Sequence, residues 1–484
     1  MRGVAFTLLM AVAGVLAFIA PAGVQAGRAR ALQAPTDETF GPIVIIEEIA
    51  VIGSARGEAR LIRRALPFRE GDALRAGDPR LRAARFKVLA LGYFREVELA
   101  LHKGSGRGKV ILVIEVVKRG TIILDQLYFG TSRAVPWWAG LALTERNLMG
   151  TGIGVGGGLV YAAAGDIEGD QGKYACQLHI EDPSIGGSRF GAHAALLYTN
   201  THEPYRESGA LSDLDPGHFG AFPYKRLGAM GGIGINVTPL SRLTLDGRVE
   251  RVRADPPPAP TRLLEDGSSV PVDLGLKPGA SRVVTAAVGF DRDTRPDPVL
   301  PYGGDRLVVL GELGATFFGG SYNFASARAR YGRWWSVRTV AHVISLHLTG
   351  GLVLGNAPLF ERIHVADMNR MLTPRALGMV VSTRASRDFL GTSSDEVTYG
   401  EVAGVVEVEY SYRLFRRRHR VYGGDLFAGA GLWGVAMTGE VLVRDRSLYR
   451  ALPIDLLFDL GLRLDTEIGI FELTLANALG RLPF

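Results

Sequence analysis

Val405-Val406-Glu407-Val408-Glu409-Tyr410-Ser411-Tyr412-Arg413-Leu414 alternates without a break. Val406, Val408, Tyr410, Tyr412 and Leu414 fall on one side of an extended chain, and Glu407, Glu409, Ser411 and Arg413 on the other, the period-two signature of a β-strand. The same period returns at Tyr174, Cys176, Leu178 and Ile180 against Gln177, His179 and Glu181, and at Leu243 and Leu245 against Thr244, Asp246 and Arg248. It appears again at Phe458, Leu460, Leu462 and Leu464 against Asp459, Gly461, Arg463 and Asp465. A soluble sandwich also alternates, with its apolar face inward and its polar face wet. Here the polar set holds several charges per strand, as a hydrated lumen does, while the other set mixes aliphatics with Tyr and Phe like a lipid-facing band. The chain therefore reads as a membrane all-β protein. Residues 120–484 form a transmembrane antiparallel β-barrel, long enough for roughly sixteen strands of ~10 residues each. The Pro- and Gly-rich stretches near 201–223 and 254–280 read as surface loops.

Composition agrees. The 484 residues are 47% hydrophobic, 21% charged and 8% aromatic, with 63 Gly, 24 Pro and one Cys, too apolar for disorder and too Gly-rich for an ordinary helical enzyme. The lone Cys176 excludes a disulfide framework, a four-Cys zinc site and a CxxC redox pair, each of which needs at least two thiolates. The formal net charge of +6 comes from 55 Lys and Arg against 49 Asp and Glu, and the longest run of like charge is Arg416-Arg417-Arg418. That is no nucleic-acid footprint, which concentrates basic residues on one face. After the N-terminal segment no stretch approaches the ~20 apolar residues of a membrane helix, so a membrane location requires a barrel. Gly152-Ile153-Gly154-Val155-Gly156-Gly157 fits GxGxxG, but no helix follows to hold a phosphate, so it reads as a Gly-rich strand. The His residues, such as His342 and His347, show no ligand spacing and read as lumen or loop residues. Trp137-Trp138 and Trp334-Trp335 read as girdle residues of the headgroup zone. No metal site and no cofactor is expected.

Residues 1–26 read as a secretory signal, with Arg2 in the n-region, an apolar core from Val4 to Ala20 and Val24-Gln25-Ala26 as the cleavage site. Residues 27–40 form a polar linker. A small α+β domain over 41–119 follows. It opens with a strand at Ile43–Val51, then a helix from Glu58 to Leu66, then a second helix from about Pro79 to Leu91 with Asp78 as N-cap and Pro79 in its first turn. Two strands, Phe94–Leu101 and Lys109–Val117, are joined by Gly104-Ser105-Gly106-Arg107-Gly108.

That order, with Gly71-Asp72 between the helices and Leu91-Gly92-Tyr93-Phe94 leading into the second strand, resembles a POTRA domain. This is the periplasmic module of the BamA/TamA outer-membrane assembly superfamily. Gly92, Tyr93 and Phe94 carry the most specific part of the likeness. Such a module presents a sheet edge, which recruits extended peptides by adding a strand. The barrel segment resembles the same superfamily in three places: Glu145-Arg146-Asn147-Leu148-Met149-Gly150-Thr151-Gly152 (an ExNLxGxG turn), Phe290-Asp291-Arg292-Asp293-Thr294-Arg295 with Pro298, Leu300, Pro301 and Gly303 after it, and Gly461-Leu462-Arg463 through Thr466-Glu467-Ile468-Gly469 to Leu473 and Leu475.

The resemblance implies an Arg in a VRGF/Y tetrad, on a loop folded into the lumen and paired with an acidic residue. Ser386-Arg387-Asp388-Phe389 matches with Arg and Phe kept and Asp388 in place of Gly. Leu426-Phe427-Ala428-Gly429 lacks the family's Asp, which leaves Asp425 or Asp459 as partners for Arg387, with Glu409 as a neighbour. It further implies an outer-membrane protein with its POTRA domain in the periplasm, no enzyme, inserting unfolded outer-membrane proteins into lipid. The weak seam between first and last strands, around Leu473 and Leu475, would act as template. Accessory lipoproteins or a periplasm-spanning partner would assist. Export of a secreted polypeptide, as in the two-partner secretion branch, and a passive pore are the alternatives. Under this reading Arg387→Ala lowers activity while the barrel still forms; a variant that assembles and works like the parent removes the latch assignment.

Overall fold

A computed structural model describes residues 43–54, 56–75, 78–91, 93–132, 135–209, 215–238, 240–264, 266–297, 300–368, 375–381, 399–416, 420–437 and 454–476. The chain divides into two compact units, one through Arg119 and one from Gly120.

The first unit runs β1 (Val44–Ile52), α1 (Arg56–Ala65), β2 (Ala73–Leu74), α2 (Pro79–Ala90), β3 (Phe94–Lys103) and β4 (Lys109–Lys118). Its sheet has the order β2-β1-β4-β3, so that β3 is an edge. β1 pairs parallel with β4, and β3 antiparallel with β4. The helices start where the residues direct. The Asp78 side chain accepts from the Arg80 amide at 2.9 Å, with Pro79 in the first turn, where its missing N–H costs nothing. Ile62, Ala84 and Val88 of the helices and Leu66 just after α1 meet Ile46, Ile49, Val97, Leu112, Ile114 and Val116 of the sheet in one core. Tyr93 and Phe94 join it, 3% and 4% exposed, with their rings edge to face at 6.1 Å. The Gly71-Asp72 link docks on β1: the Gly71 amide donates to the Ile46 carbonyl, and the Ile46 amide to the Asp72 carbonyl. Gly92 lies outside the described residues, as do the signal and linker expected over 1–40.

The second unit is a nearly closed antiparallel sheet of fifteen strands in chain order. They are β5 (Ile122–Gly130), β6 (Trp138–Glu145), β7 (Gly154–Ala162), β8 (Lys173–Asp182), β9 (Phe190–Arg206), β10 (Phe219–Thr238), β11 (Ser241–Ala254), β12 (Gly279–Asp293), β13 (Gly304–Gly314), β14 (Phe324–Val337), β15 (Thr339–Gly355), β16 (Val402–Arg416), β17 (Val421–Ala436), β18 (Ile454–Thr466) and β19 (Gly469–Ala476). The barrel class is the one the alternation indicates. Among the described residues its strand number is fifteen and not sixteen, because central strands outgrow ten residues; Phe219–Thr238 alone has 20. The expected loop near 201–223 shrinks to 207–218 for the same reason, since β9 and β10 pair from Arg206 and Phe219 onward. The stretch 255–278 is a connection with its own two-stranded ribbon, Thr261–Leu263 on Ser269–Pro271.

Connections at the end where Ile122 begins, the proximal end, are short, such as 239–240 and 467–468. Those at the distal end include 255–278 and 356–401. The ExNLxGxG stretch closes one proximal turn on itself. The Glu145 carboxylate accepts from the Asn147 amide at 2.7 Å, and the Asn147 side chain from the Gly152 amide at 2.9 Å. Facing follows the alternation: Val406, Val408, Tyr410, Tyr412 and Leu414 are exposed on the outer wall, while Glu409 and Ser411 are buried in the lumen wall. Alternation also splits each tryptophan pair, correcting the girdle reading for half of them. Trp137 and Trp335 are exposed, but Trp138 is buried and Trp334 stacks edge-on with His347 at 5.3 Å. His342 is neither in the lumen nor in a loop; it lies on the outer wall against Tyr410 and Tyr412.

In the first unit the Glu47 carboxylate accepts from the Ser105 hydroxyl and, at 2.7 Å, from the Ser105 amide, and Lys109 stands 3.3 Å away. The Ser105 hydroxyl first, then its amide, hold the carboxyl down from an ordinary 4.5 to about 2. A depressed folded value means that the staple is fully present above pH 4.5 and is lost as pH falls through about 2. Hydrogen exchange at Ser105 is therefore expected to remain slower in the parent than in Glu47→Gln down to about pH 2, and to converge below it.

Candidate functional site

The connection between β15 and β16 runs from 356 to 401, and its described parts fold into the distal lumen. Leu359–Glu361 forms a buried 3-10 turn. Phe360 is held between the Tyr224 ring, stacked at 6.1 Å, and the Arg226 guanidinium, 3.7 Å from its centroid. Beside it the Glu361 carboxylate, 7% exposed, receives Arg248 at 2.7 Å, with Arg226 at 3.9 Å. Arg248 also reaches Glu312 at 2.7 Å and Glu250 at 3.0 Å. Arg226 donates to Glu250 at 3.0 and 2.8 Å, and Arg328 to the Glu361 carbonyl at 3.3 Å. Charges in a confined lumen persist when each has a hydrogen-bonded counter-charge. Here the wall supplies the guanidinium groups, and the connection completes their neutralisation.

Around this lock sits an apolar layer. Phe222, Val252, Val283, Phe324, Val353, Val405 and Trp433 of the strands pack with Leu359, Ile363 and Val365 of the connection. Gly351 makes room for it, because a Cβ there would stand 2.7 Å from the Ile363 Cδ1. Ile363–His364 pairs with Tyr399–Gly400, and the Tyr399 hydroxyl donates to Glu203. Further along, Arg375–Ala376 and Met379–Val380 form a small hairpin. Met379 and Ala376 pack on Val160 and Ala175, on the opposite side of the sheet order from β16. The Val381 carbonyl accepts from Ser132 at 2.9 Å. Buried Lys173 donates to the Val380 carbonyl at 3.4 Å and pairs with Asp170 at 3.2 Å. One connection thus plugs the lumen by holding two separate stretches of wall.

The second element is the seam. β5 and β19 are the sheet's ends, and with fifteen antiparallel strands they run in the same direction. The Leu124 amide donates to the Ile468 carbonyl at 2.7 Å, and among the described residues no other backbone hydrogen bond joins the two ends. Gly469 allows this approach, since a Cβ there would stand 2.9 Å from the Leu124 carbonyl oxygen. The seam strands are short, 9 and 8 residues. Leu473 is 73% exposed on the outer wall, and its backbone pairs with Leu462; Leu475 pairs with Leu460.

Arg387 and Phe389 lie outside the described residues. The acidic residues singled out with them are on the lumen wall. Glu409 holds Arg463 at 3.1 Å, and Arg463 lies over the Phe427 ring at 4.5 Å. Asp425 holds Arg413 at 3.1 Å, and Arg413 also donates to the Leu300 carbonyl at 2.9 Å. Asp459 converges with Glu407 over Gly429. Two of the three carboxylates thus have a wall arginine of their own. Phe360, Glu361, Arg226 and Arg248 escaped the sequence reading. Their signal was Leu359-Phe360 and Ile363 inside a connection that a wet surface loop would fill with polar residues. Among the described residues no group of three or more His, Cys, Asp and Glu could hold a metal ion.

No family model and no curated protein matches the chain. Among solved structures it is similar to CdiB from Escherichia coli, at 12% identity over 90% of this chain and 72% of that one, with a TM-score of 0.55. It is also similar to BamA from Haemophilus ducreyi lacking POTRA domains 1-3, at 12% identity over 90% of this chain and 81% of that one, with a TM-score of 0.48. The likeness is one of fold, a transmembrane antiparallel β-barrel, as the motifs imply.

Glu361→Ala frees the plug while leaving Glu250 and Glu312 to neutralise Arg226 and Arg248. In planar lipid bilayers the variant is expected to conduct several-fold more than the parent, with unchanged heat-modifiable migration. Equal conductance would show that Glu361 does not hold the lumen shut.

Proposed function

We propose that the chain is an outer-membrane assembly factor of the BamA/TamA type, which templates the membrane insertion of other β-barrel polypeptides without covalent chemistry. The observation that carries this reading is the seam, tied by a single backbone hydrogen bond among the described residues. Unpaired N–H and C=O groups in hydrocarbon cost several kcal/mol each, so two short unpaired edges facing lipid form the most reactive surface of the sheet toward an incoming strand. A client strand that pairs there gains the hydrogen bonds that lipid denies it and buries its own apolar band. In this reading the first unit is a periplasmic POTRA domain, and its β3 edge holds the client in extended form before insertion. The plug supports the same choice. Export through the lumen, or passive flow, would require Phe360 and Glu361 to leave their partners, whereas insertion at the seam leaves them in place.

The test is reconstitution in liposomes, following how fast an unfolded outer-membrane barrel becomes protease-protected and heat-modifiable. Acceleration over empty liposomes is expected, and its loss on deletion of residues 43–119. A cysteine pair at Leu124 and Ile468, with Cys176→Ser, is expected to abolish acceleration when oxidised and to restore it when reduced. Absence of acceleration, together with ion conductance, would move the function to export or a pore.

A further inference from the structure

The outer wall carries a charge pattern that neither the seam nor the plug uses. On three consecutive strands the outward positions are apolar up to Leu227 on β10, Val249 on β11 and Val284 on β12. At the next outward position toward the distal end they become Lys225, Arg251 and Arg282, with Arg253 one step beyond Arg251. All four cations are exposed. Register places them face to face, with Lys225 opposite Arg253 and Arg251 opposite Arg282. Like charges directly opposite one another on a sheet repel. Among the described residues none of the four has an ion pair, and Asp255, the next carboxylate along the chain, pairs with none of them. At the proximal end of the outer wall, by contrast, the cations have a carboxylate: Asp305 stands 3.5 Å from Arg333 and 3.9 Å from Arg292.

Depth locates the patch. Arg251 lies eight residues beyond Leu243, roughly 26 Å along the strand and, at a strand tilt of about 40°, roughly 20 Å along the membrane normal, toward the edge of a ~25 Å apolar band. Tyr174 and Tyr198, with rings 5.7 Å apart, stand at the same level on β8 and β9, since Tyr198 pairs with Leu227 and Asn200 with Lys225. Tyrosines at that height mark the headgroup layer. A cation on a lipid-facing wall is tolerated there, and anionic headgroups concentrate there. Arginine's planar fork suits phosphate oxygens.

We infer that Lys225, Arg251, Arg253 and Arg282 form a docking surface for the phosphate groups of an anionic lipid in the leaflet at the distal end of the barrel. The lipid supplies the negative charge that the wall lacks and anchors the barrel wall at a fixed depth. The surface is independent of the insertion reading, and it is tested without any client. The full chain is placed in phosphatidylcholine nanodiscs doped with lipid A, and lipid retained by the protein is counted by native mass spectrometry. The quadruple Lys225→Gln, Arg251→Gln, Arg253→Gln, Arg282→Gln variant is expected to retain on the order of tenfold less lipid A than the parent, with added salt narrowing the difference. If heat-modifiable migration shows that this variant does not fold, the double Lys225→Gln, Arg253→Gln variant carries the test, with a several-fold loss expected. Equal retention by parent and variant overturns the proposal. So does displacement of lipid A from the parent by millimolar inorganic phosphate, which would make the patch a simple anion site.

Discussion

Hydrocarbon offers no hydrogen-bond partner, and the whole second unit is organised by that fact. A sheet in lipid must satisfy each strand from its neighbours and then return to its own beginning. Fourteen of the junctions implied by the strand order do this over long ladders, the β9–β10 pair alone running from Phe219–Arg206 to Ile235–Phe190. The remaining junction, between β5 and β19, does not among the described residues. Among the described residues the bond between Leu124 and Ile468 stands where a ladder would be expected. Everything proposed about activity follows from this local departure from a rule obeyed elsewhere in the barrel.

The lumen solves a different problem. Outward positions need only be apolar, but inward positions enclose water and must also prevent leakage. The chain closes its distal half by returning one connection into the barrel, with Phe360 as filler and Glu361 as counter-charge to Arg226 and Arg248. Glycines on the wall, such as Gly351 against Ile363, leave the necessary space. Nearer the proximal end Arg463, Glu409 and Glu472 are linked across β16, β18 and β19. Both halves neutralise their inward charges in ion pairs, and the distal half adds an apolar layer and a returning connection to them.

Period two carried most of the fold, since it assigns facing directly: Val406 and Tyr410 outward, Glu409 and Ser411 inward. It does not say how far a strand continues beyond the membrane, where outward residues need no longer be apolar, so the stretch near 201–223 reads as a loop where β9 and β10 in fact pair through Pro204 and Pro223. Nor does it say which inward charges meet. Arg248 and Glu361 are joined only because the barrel closes and the connection folds back, and nothing local to either residue records that. The first unit was more legible, since Asp78, Pro79 and the apolar positions around Ile62 and Val88 act within a few residues of one another. Tyr93 and Phe94 proved to be core residues whose burial explains their place in the motif.

The parity of the sheet reaches further than its closure. Because among the described residues the sheet's first and fifteenth strands point the same way, a single added strand can lie antiparallel to both edges at once, whereas a hairpin must meet one edge in parallel. Under the proposed function the seam would therefore distinguish odd from even additions. A guest entering strand by strand would alternate between a fully antiparallel ring and one with a single parallel, less stable junction. A growing barrel would thus sense its own strand count as a periodic change in how tightly it is held.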